Sequence, residues 1–212
     1  MNTLAFPSTR TSDAAVPGGD QLSARACVMP CEDEDARLAE GLRRGEDAAY
    51  AELLDRYQAT VHALAFRMLG NRADAADLTQ TVFLSVFEHR STIDGSRKLF
   101  SWVYRIAMNA SLDQLRRRHG GTTDACEDMA CDARQQPDAL LADVERHDAV
   151  QRALLRLHRD HRAVVVLRHF SDCSYEEIAG ILHLPEKTIK SRLYCARQQL
   201  REILAAQGEP SE

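Results

Sequence analysis

No apolar run in this sequence approaches the roughly 18 residues that a membrane-spanning helix needs. The opening Met1-Asn-Thr-Leu-Ala-Phe-Pro7 lacks the charged start and long apolar stretch of a secretory signal. Both absences argue against membrane insertion and point to a cytoplasmic protein whose six cysteines stay mostly reduced. Aromatic residues are scarce, at 6 % with a single Trp, which suits small helical bundles better than a large β-core. Motifs of catalysis are missing too: there is no phosphate-binding glycine loop, no HExxH and no nucleophile elbow, so no enzyme and no cofactor is expected. Nor is there an excess of positive charge. The formal net charge is −5, whereas a protein that holds nucleic acid unaided is more often basic.

What is present is helical spacing in two blocks. Residues 1–33 are rich in Ser, Thr, Ala, Pro and Gly with no sustained period, and are expected to be a disordered extension. Periodicity begins near Glu34, with Leu38 and Leu42 on one face, and Gly45 interrupts it. A long amphipathic run follows through Tyr50, Leu53, Leu54, Tyr57, Val61, Leu64, Ala65 and Met68, closed by Gly70-Asn71 as a helix C-cap. The next helix carries Ala75, Leu78, Val82, Phe83, Val86 and Phe87, before a polar turn at 91–96. From Leu99 a further helix carries Trp102, Val103, Ile106, Ala107, Ala110 and Leu115. It ends in Arg116-Arg117-Arg118, where basic residues suit a helix C-terminus. An acidic stretch over 120–139 has no core-forming pattern and is expected to be a flexible linker. Helical spacing returns at Leu140 and continues to residue 206, leaving a short tail over 207–212. Val164-Val-Val-Leu167 has a strand's composition, but its helical, charged flanks favour a helix. The expected fold is all-α: two small helical domains, 34–119 and 140–206, joined by the acidic linker.

The second block ends in the most specific signal. Ser174 and Glu177 stand at capping-box spacing, so a helix should start there. Ala179 falls where two helices would cross, His183-Leu184 forms a turn, and Pro185 suits the first position of a new helix. This is a helix-turn-helix, in which the second helix lies in the DNA major groove. On that helix Lys187, Lys190, Ser191, Tyr194 and Arg197 share a solvent face, with Arg192 and Arg201 adding charge, while Ile189, Leu193 and Leu200 turn inward. Lys and Arg reach phosphates or guanine edges, and Ser bonds less selectively.

Asp74-Ala-Ala-Asp-Leu-Thr-Gln-Thr-Val-Phe-Leu-Ser-Val-Phe87 and Leu99-Phe-Ser-Trp-Val-Tyr-Arg-Ile-Ala-Met-Asn-Ala110 resemble region 2 of bacterial sigma factors. The stretch from Ser174-Tyr-Glu-Glu-Ile-Ala to Lys190-Ser-Arg-Leu193 resembles their region 4. Order, spacing and linker length are similar to the extracytoplasmic-function class, which keeps only these two regions. The resemblance implies a protein that binds core RNA polymerase and brings it to promoter DNA, region 2 melting the −10 element and region 4 reading the −35 element as duplex. Polymerase would then supply much of the DNA affinity, which accounts for the acidic net charge. An anti-sigma factor is an expected further partner, and the linker would run through polymerase towards its active centre. A stand-alone helix-turn-helix regulator with a sensing or dimerising N-terminal bundle is the alternative, but it leaves the 74–110 match unexplained.

Residue by residue, the resemblance makes Lys190, Ser191 and Tyr194 readers of −35 DNA. It makes Trp102, Tyr104, Arg105 and Asn109 the element that captures melted −10 bases. Lys98 and Phe100 would assist, with Arg116 and Arg117 on the backbone. Single strands are held by a basic groove and aromatic platforms. A core position for Trp102 is equally compatible. Asp77, Gln80 and Phe83, at i, i+3 and i+6, would form the face that docks on polymerase, although Phe83 suits a core equally well. Several positions depart from the family pattern: Cys195 stands where Arg is common, His183 where Gly is usual, Leu99 for Phe, Asp94 for Arg, and Ala76, Thr81 and Phe87 for two acids and a Trp. The pairs Cys27/Cys31 and Cys126/Cys131 have spacings that zinc sites use, but they lack adjacent His ligands, so unremarkable thiols are the default.

Overall fold

The computed structural model describes residues 32–94, 98–118 and 141–208. Among these residues the regular elements are all helical. The extension, the acidic linker, and Cys27, Cys31, Cys126 and Cys131 lie outside the described residues.

In the first half, α1 (Glu32–Arg44) buries Leu38, Ala39 and Leu42 and stops at Gly45, whose φ of 75° only glycine adopts without strain. Helix α2 (Asp47–Leu69) buries Leu53, Tyr57, Val61, Leu64, Ala65 and Met68, the inward stripe expected from the spacing. It ends at Gly70, with φ 76° and its N–H donating to the Phe66 carbonyl at 2.8 Å. Asn71 belongs to the next element. Its side chain accepts from the Ala73 and Asp74 N–H groups at 2.8 and 3.1 Å, capping α3 (Arg72–Glu88). A 3₁₀ turn (Arg90–Thr92) leads towards α4 (Leu99–Arg118). Asp35 on α1 takes an Arg56 N–H at 3.3 Å, and its carboxylate lies near the Leu99 N–H that opens α4.

In the second half, α5 (Leu141–Leu155) leads to α6 (Arg159–His169). Ala163 to Leu167 are all buried, which explains the strand-like composition: this is a helix packed on several sides rather than a strand. Helices α7 (Tyr175–Leu182) and α8 (Glu186–Gly208) complete the chain.

The halves are not independent bundles. Buried apolar contacts run continuously from α1–α4 into α6–α8. The centre of the junction is Arg162 on α6, 7 % exposed although it is a full charge. Its guanidinium donates to the carbonyls of Leu154 (2.9 Å), Leu155 (2.6 Å) and Leu157 (3.1 Å), and also to that of Met68 on α2. Gln151 on α5 donates to the Phe66 carbonyl at 3.1 Å. The Met68 carbonyl, open at the end of α2, is thus satisfied by a side chain from the other half, and the Phe66 carbonyl, already taken by the Gly70 N–H, gains a second donor. The close approach requires Gly70: a Cβ there would lie 2.5 Å from the Leu155 side chain.

Candidate nucleic-acid interface

The helix-turn-helix forms as its sequence dictates. The Ser174 hydroxyl accepts from the Glu177 N–H at 3.2 Å, and the Glu177 carboxylate accepts from the Ser174 N–H at 2.8 Å, a complete capping box. His183 sits in the left-handed region (φ 52°, ψ 44°), and its N–H donates to the Ala179 carbonyl. The turn that usually employs glycine is therefore made by His, at a small steric cost. Pro185 opens α8, its carbonyl accepting from Thr188 (2.9 Å) and Ile189 (3.2 Å).

Helix α8 presents the expected face. Lys187, Lys190, Ser191, Tyr194 and Arg197 are exposed, and Tyr194, at 66 %, is the most exposed large apolar side chain among the described residues. Ile189, Leu193 and Ala196 are buried beneath them, and Leu200 is half-buried. Arg192 lies on the flank, half-buried and paired with Asp160 on α6 at 3.3 Å. Lys190 pairs with Glu186 one turn earlier at 3.1 Å and stands 5.3 Å from the Tyr175 ring centre. Cys195 is exposed beside Tyr194, while Cys173 is buried.

Helix α4 divides differently from expectation. Asn109, Arg116 and Arg117 are exposed and Arg105 is half-exposed, so the second half of the helix offers a polar and basic face. Arg116 is held by Asp113 at 2.6 Å. The aromatic platforms are not offered. Phe100 is 2 % exposed, Trp102 8 % and Tyr104 2 %, so the expectation that Phe100 and Trp102 face DNA is corrected for this arrangement. The reason is packing on nearly all sides: α4 begins between α2, α3 and α7, and Leu99, Phe100, Trp102, Val103 and Tyr104 are all buried. Phe100 lies against Tyr104 with ring centres 4.3 Å apart. Lys98 remains exposed, but its ammonium donates to the Glu177 carboxylate on α7 at 3.0 Å. That carboxyl is held below its ordinary range. Burial works against ionisation, but the Ser174 backbone N–H, Lys98 and the Ser174 hydroxyl together outweigh it.

On α3, Asp77 and Gln80 are exposed as expected, but Phe83 is 4 % exposed and belongs to the core. The apolar side chains on the outer face are instead Leu84 (63 %) and Phe87 (43 %). Helical spacing of 77, 80, 84 and 87 carries this face. It was obscured in sequence because apolar residues occur around the whole circumference from Val82 to Phe87.

Among the described residues, no helix is long and apolar enough to cross a membrane, and no group of His, Cys, Asp or Glu side chains is placed to hold a metal ion.

Comparison with known proteins gives this geometry a family. Residues 53–120 match the model of sigma-70 region 2, and residues 147–200 that of sigma-70 region 4. The chain is 30 % identical over 174 residues to the extracytoplasmic-function (ECF) RNA polymerase sigma factor SigW of Bacillus subtilis, covering 77 % of this chain and 92 % of that one. It is 34 % identical over 166 residues to the RNA polymerase sigma factor CarQ of Myxococcus xanthus, covering 78 % and 94 %. Among solved structures it resembles CnrH in complex with the cytosolic domain of CnrY, with a TM-score of 0.63 and 25 % identity over 81 % of this chain and 97 % of that one. It also resembles the sigma factor RpoE in complex with the anti-sigma factor NepR from Bartonella quintana, with a TM-score of 0.58 and 26 % identity over 74 % and 96 %. With both regions present in the family's order, on a helical bundle followed by a helix-turn-helix, the chain belongs to the extracytoplasmic-function group of the sigma-70 family of RNA polymerase sigma factors.

Proposed function

We propose that this sigma factor divides promoter recognition between two surfaces. Region 4, residues 140–206, reads −35 duplex with Lys187, Lys190, Ser191, Arg192, Tyr194 and Arg197. Region 2, residues 34–119, contacts the −10 element with Lys98, Arg105, Asn109, Arg116 and Arg117, and docks on core polymerase with Asp77, Gln80, Leu84 and Phe87. Phe100, Trp102 and Tyr104 serve as base platforms only if α7 moves away from α4. Residues 120–139 act as the tether, residues 1–33 as an extension and 207–212 as a tail. The supporting observation is the exposed face of α8, where cations, a hydroxyl and a phenol stand on a turn fixed by capping and by Pro185.

The factor contributes recognition and no bond chemistry of its own, so it is not an enzyme, and it works in the cytoplasm where polymerase meets DNA. An anti-sigma factor is a further proposed partner. The CnrH and RpoE structures that this chain resembles are complexes, the second with an anti-sigma factor by description.

The test is transcription in vitro on fragmented genomic DNA, with core polymerase, with and without the chain, under reducing conditions. Discrete starts that need the chain, sharing two elements upstream, are the expected result. DNA binding by the chain alone with no new starts would favour a stand-alone regulator.

A further inference from the structure

The cations proposed to face −35 DNA are not held alike. Lys190 is paired with the Glu186 carboxylate and Arg192 with that of Asp160, so a DNA phosphate must compete with a fixed negative charge for each. Arg197 is held by a neutral group. Its Nη2 donates to Nε2 of His169 at 3.3 Å, from the start of the fourth turn of α8 to the last residue of α6. The same helix pair carries two further cross-links, Arg192 to Asp160 and His161 Nδ1 to the Gln199 side-chain oxygen at 2.9 Å. Arg197 is thus anchored between two helices whose relative position is already fixed by Val165, Val166, Ile189, Leu193 and Ala196 in the core.

An imidazole accepts a hydrogen bond only through its unprotonated nitrogen, so the contact requires the neutral tautomer with the proton on Nδ1. Its surroundings favour that neutral form. Partial burial, then the Arg197 and Arg168 guanidiniums, hold the His169 pKa below its ordinary value of 6.5, with only the Asp172 carboxylate opposing them. Such a partner fixes the plane of a guanidinium and leaves its full positive charge for DNA. Of the five N–H donors in the fork one is used, and a guanine edge needs two.

We propose that His169 is a positioning residue for −35 recognition, its neutral imidazole aiming the Arg197 guanidinium at the duplex without cancelling its charge. This rests on α8 being the duplex-reading helix. Protonation of His169 would put a proton on Nε2 facing Arg197, turning acceptor against donor into donor against donor. Base discrimination by Arg197 is then lost on acidification, while non-specific attraction to phosphate rises.

The test uses holoenzyme assembled from the full chain and core polymerase on promoter templates with a randomised −35 element, read by sequencing the transcripts. R197A identifies the base positions that Arg197 specifies. H169A should relax those positions and no others, by at least about fivefold. H169Q, which supplies an oxygen acceptor, should restore them, and H169A/R197A should match R197A. Acidification well below the ordinary imidazole value of 6.5 should relax the same positions in the wild type and not in H169Q. Unchanged preferences in H169A, or an equal loss at every position, would overturn the proposal. Imidazole ¹⁵N shifts of the full chain without DNA provide an independent arm. The Nδ1–H tautomer, and a His169 pKa that rises in R197A, are expected. A titration indifferent to R197A means that the contact does not exist, and the proposal falls while α8 still reads DNA. The expected titration with no transcripts dependent on the chain means instead that the duplex-reading role of α8 has failed, and the proposal with it.

Discussion

The Lys98 ammonium donates to the Glu177 carboxylate across 3.0 Å, tying the start of α4 in region 2 to the first turn of α7 in region 4. One residue is a proposed −10 contact and the other caps the helix-turn-helix, so this ion pair joins the two elements proposed to face DNA. Its carboxylate occupies the lysine that a phosphate would otherwise take. Glu177→Gln keeps an oxygen for the Ser174 N–H but removes the charge that pairs with Lys98. Affinity of the free chain for single-stranded DNA should then rise a few-fold, most at low salt, as measured by fluorescence anisotropy. An unchanged affinity would show that Lys98 does not meet the strand. Stability should fall by less than about 1 kcal/mol, because Lys98 is half exposed. Since the folded pKa of Glu177 lies below its ordinary 4.5, its contribution is present above that value and lost as pH falls through the lower folded one. The melting difference between wild type and variant should therefore close on acidification below 4.5.

Arg162 makes a prediction about cohesion. Arg162→Met fills similar volume but leaves buried carbonyls at the ends of α2 and α5 without donors, a loss on the order of 3 kcal/mol. Gln151→Ala removes a single part-buried bond to the Phe66 carbonyl and should cost about 1 kcal/mol. Chemical denaturation measures both. Equal, small effects would mean that the guanidinium is not the anchor of the junction.

The outer face of α3 separates binding from folding. Leu84→Asp changes an exposed side chain and should weaken capture of core polymerase at least about tenfold, with a melting temperature close to wild type. Phe83→Ala should do the reverse, costing about 3–5 kcal/mol of stability through the cavity it leaves. Polymerase pull-down alongside thermal melts distinguishes them. A Leu84→Asp chain that binds normally would move the docking surface off this helix.

The helix-turn-helix was legible because every signal in it is local: Ser174 and Glu177 three apart, a turn at His183, Pro185 after it, and basic residues on one face of α8. The stripe of α2 was legible for the same reason. What sequence could not decide was direction on α3 and α4, where apolar residues occur on every side and the period gives no outward face. There Phe83, Phe100 and Trp102 turned inward, and Leu84 outward. Contacts between the halves were invisible, since nothing local links Arg162 to Met68 or Lys98 to Glu177, residues 79 apart in the chain. His169 carries no signal in sequence either, because its partner Arg197 is 28 residues away.

Lys190 allows phosphate contact to be told from base contact. Its ammonium lies between Glu186 and the Tyr175 ring, so Lys190→Ala removes one i,i+4 pair and should cost at most about 0.5 kcal/mol of folding. Any large loss of promoter use in this variant is therefore a loss of DNA contact. If the contact is to phosphate, binding of a −35 duplex by holoenzyme should weaken alike for all sequences, and the slope of log K against log salt should become shallower by about 0.9. If the contact is to a base edge, the salt slope should hold and preference should relax at one position. Lys190→Glu adds repulsion, from phosphate and from Glu186 alike, and should abolish promoter use while core polymerase binding persists. Transcription undiminished by Lys190→Glu would remove α8 from the promoter.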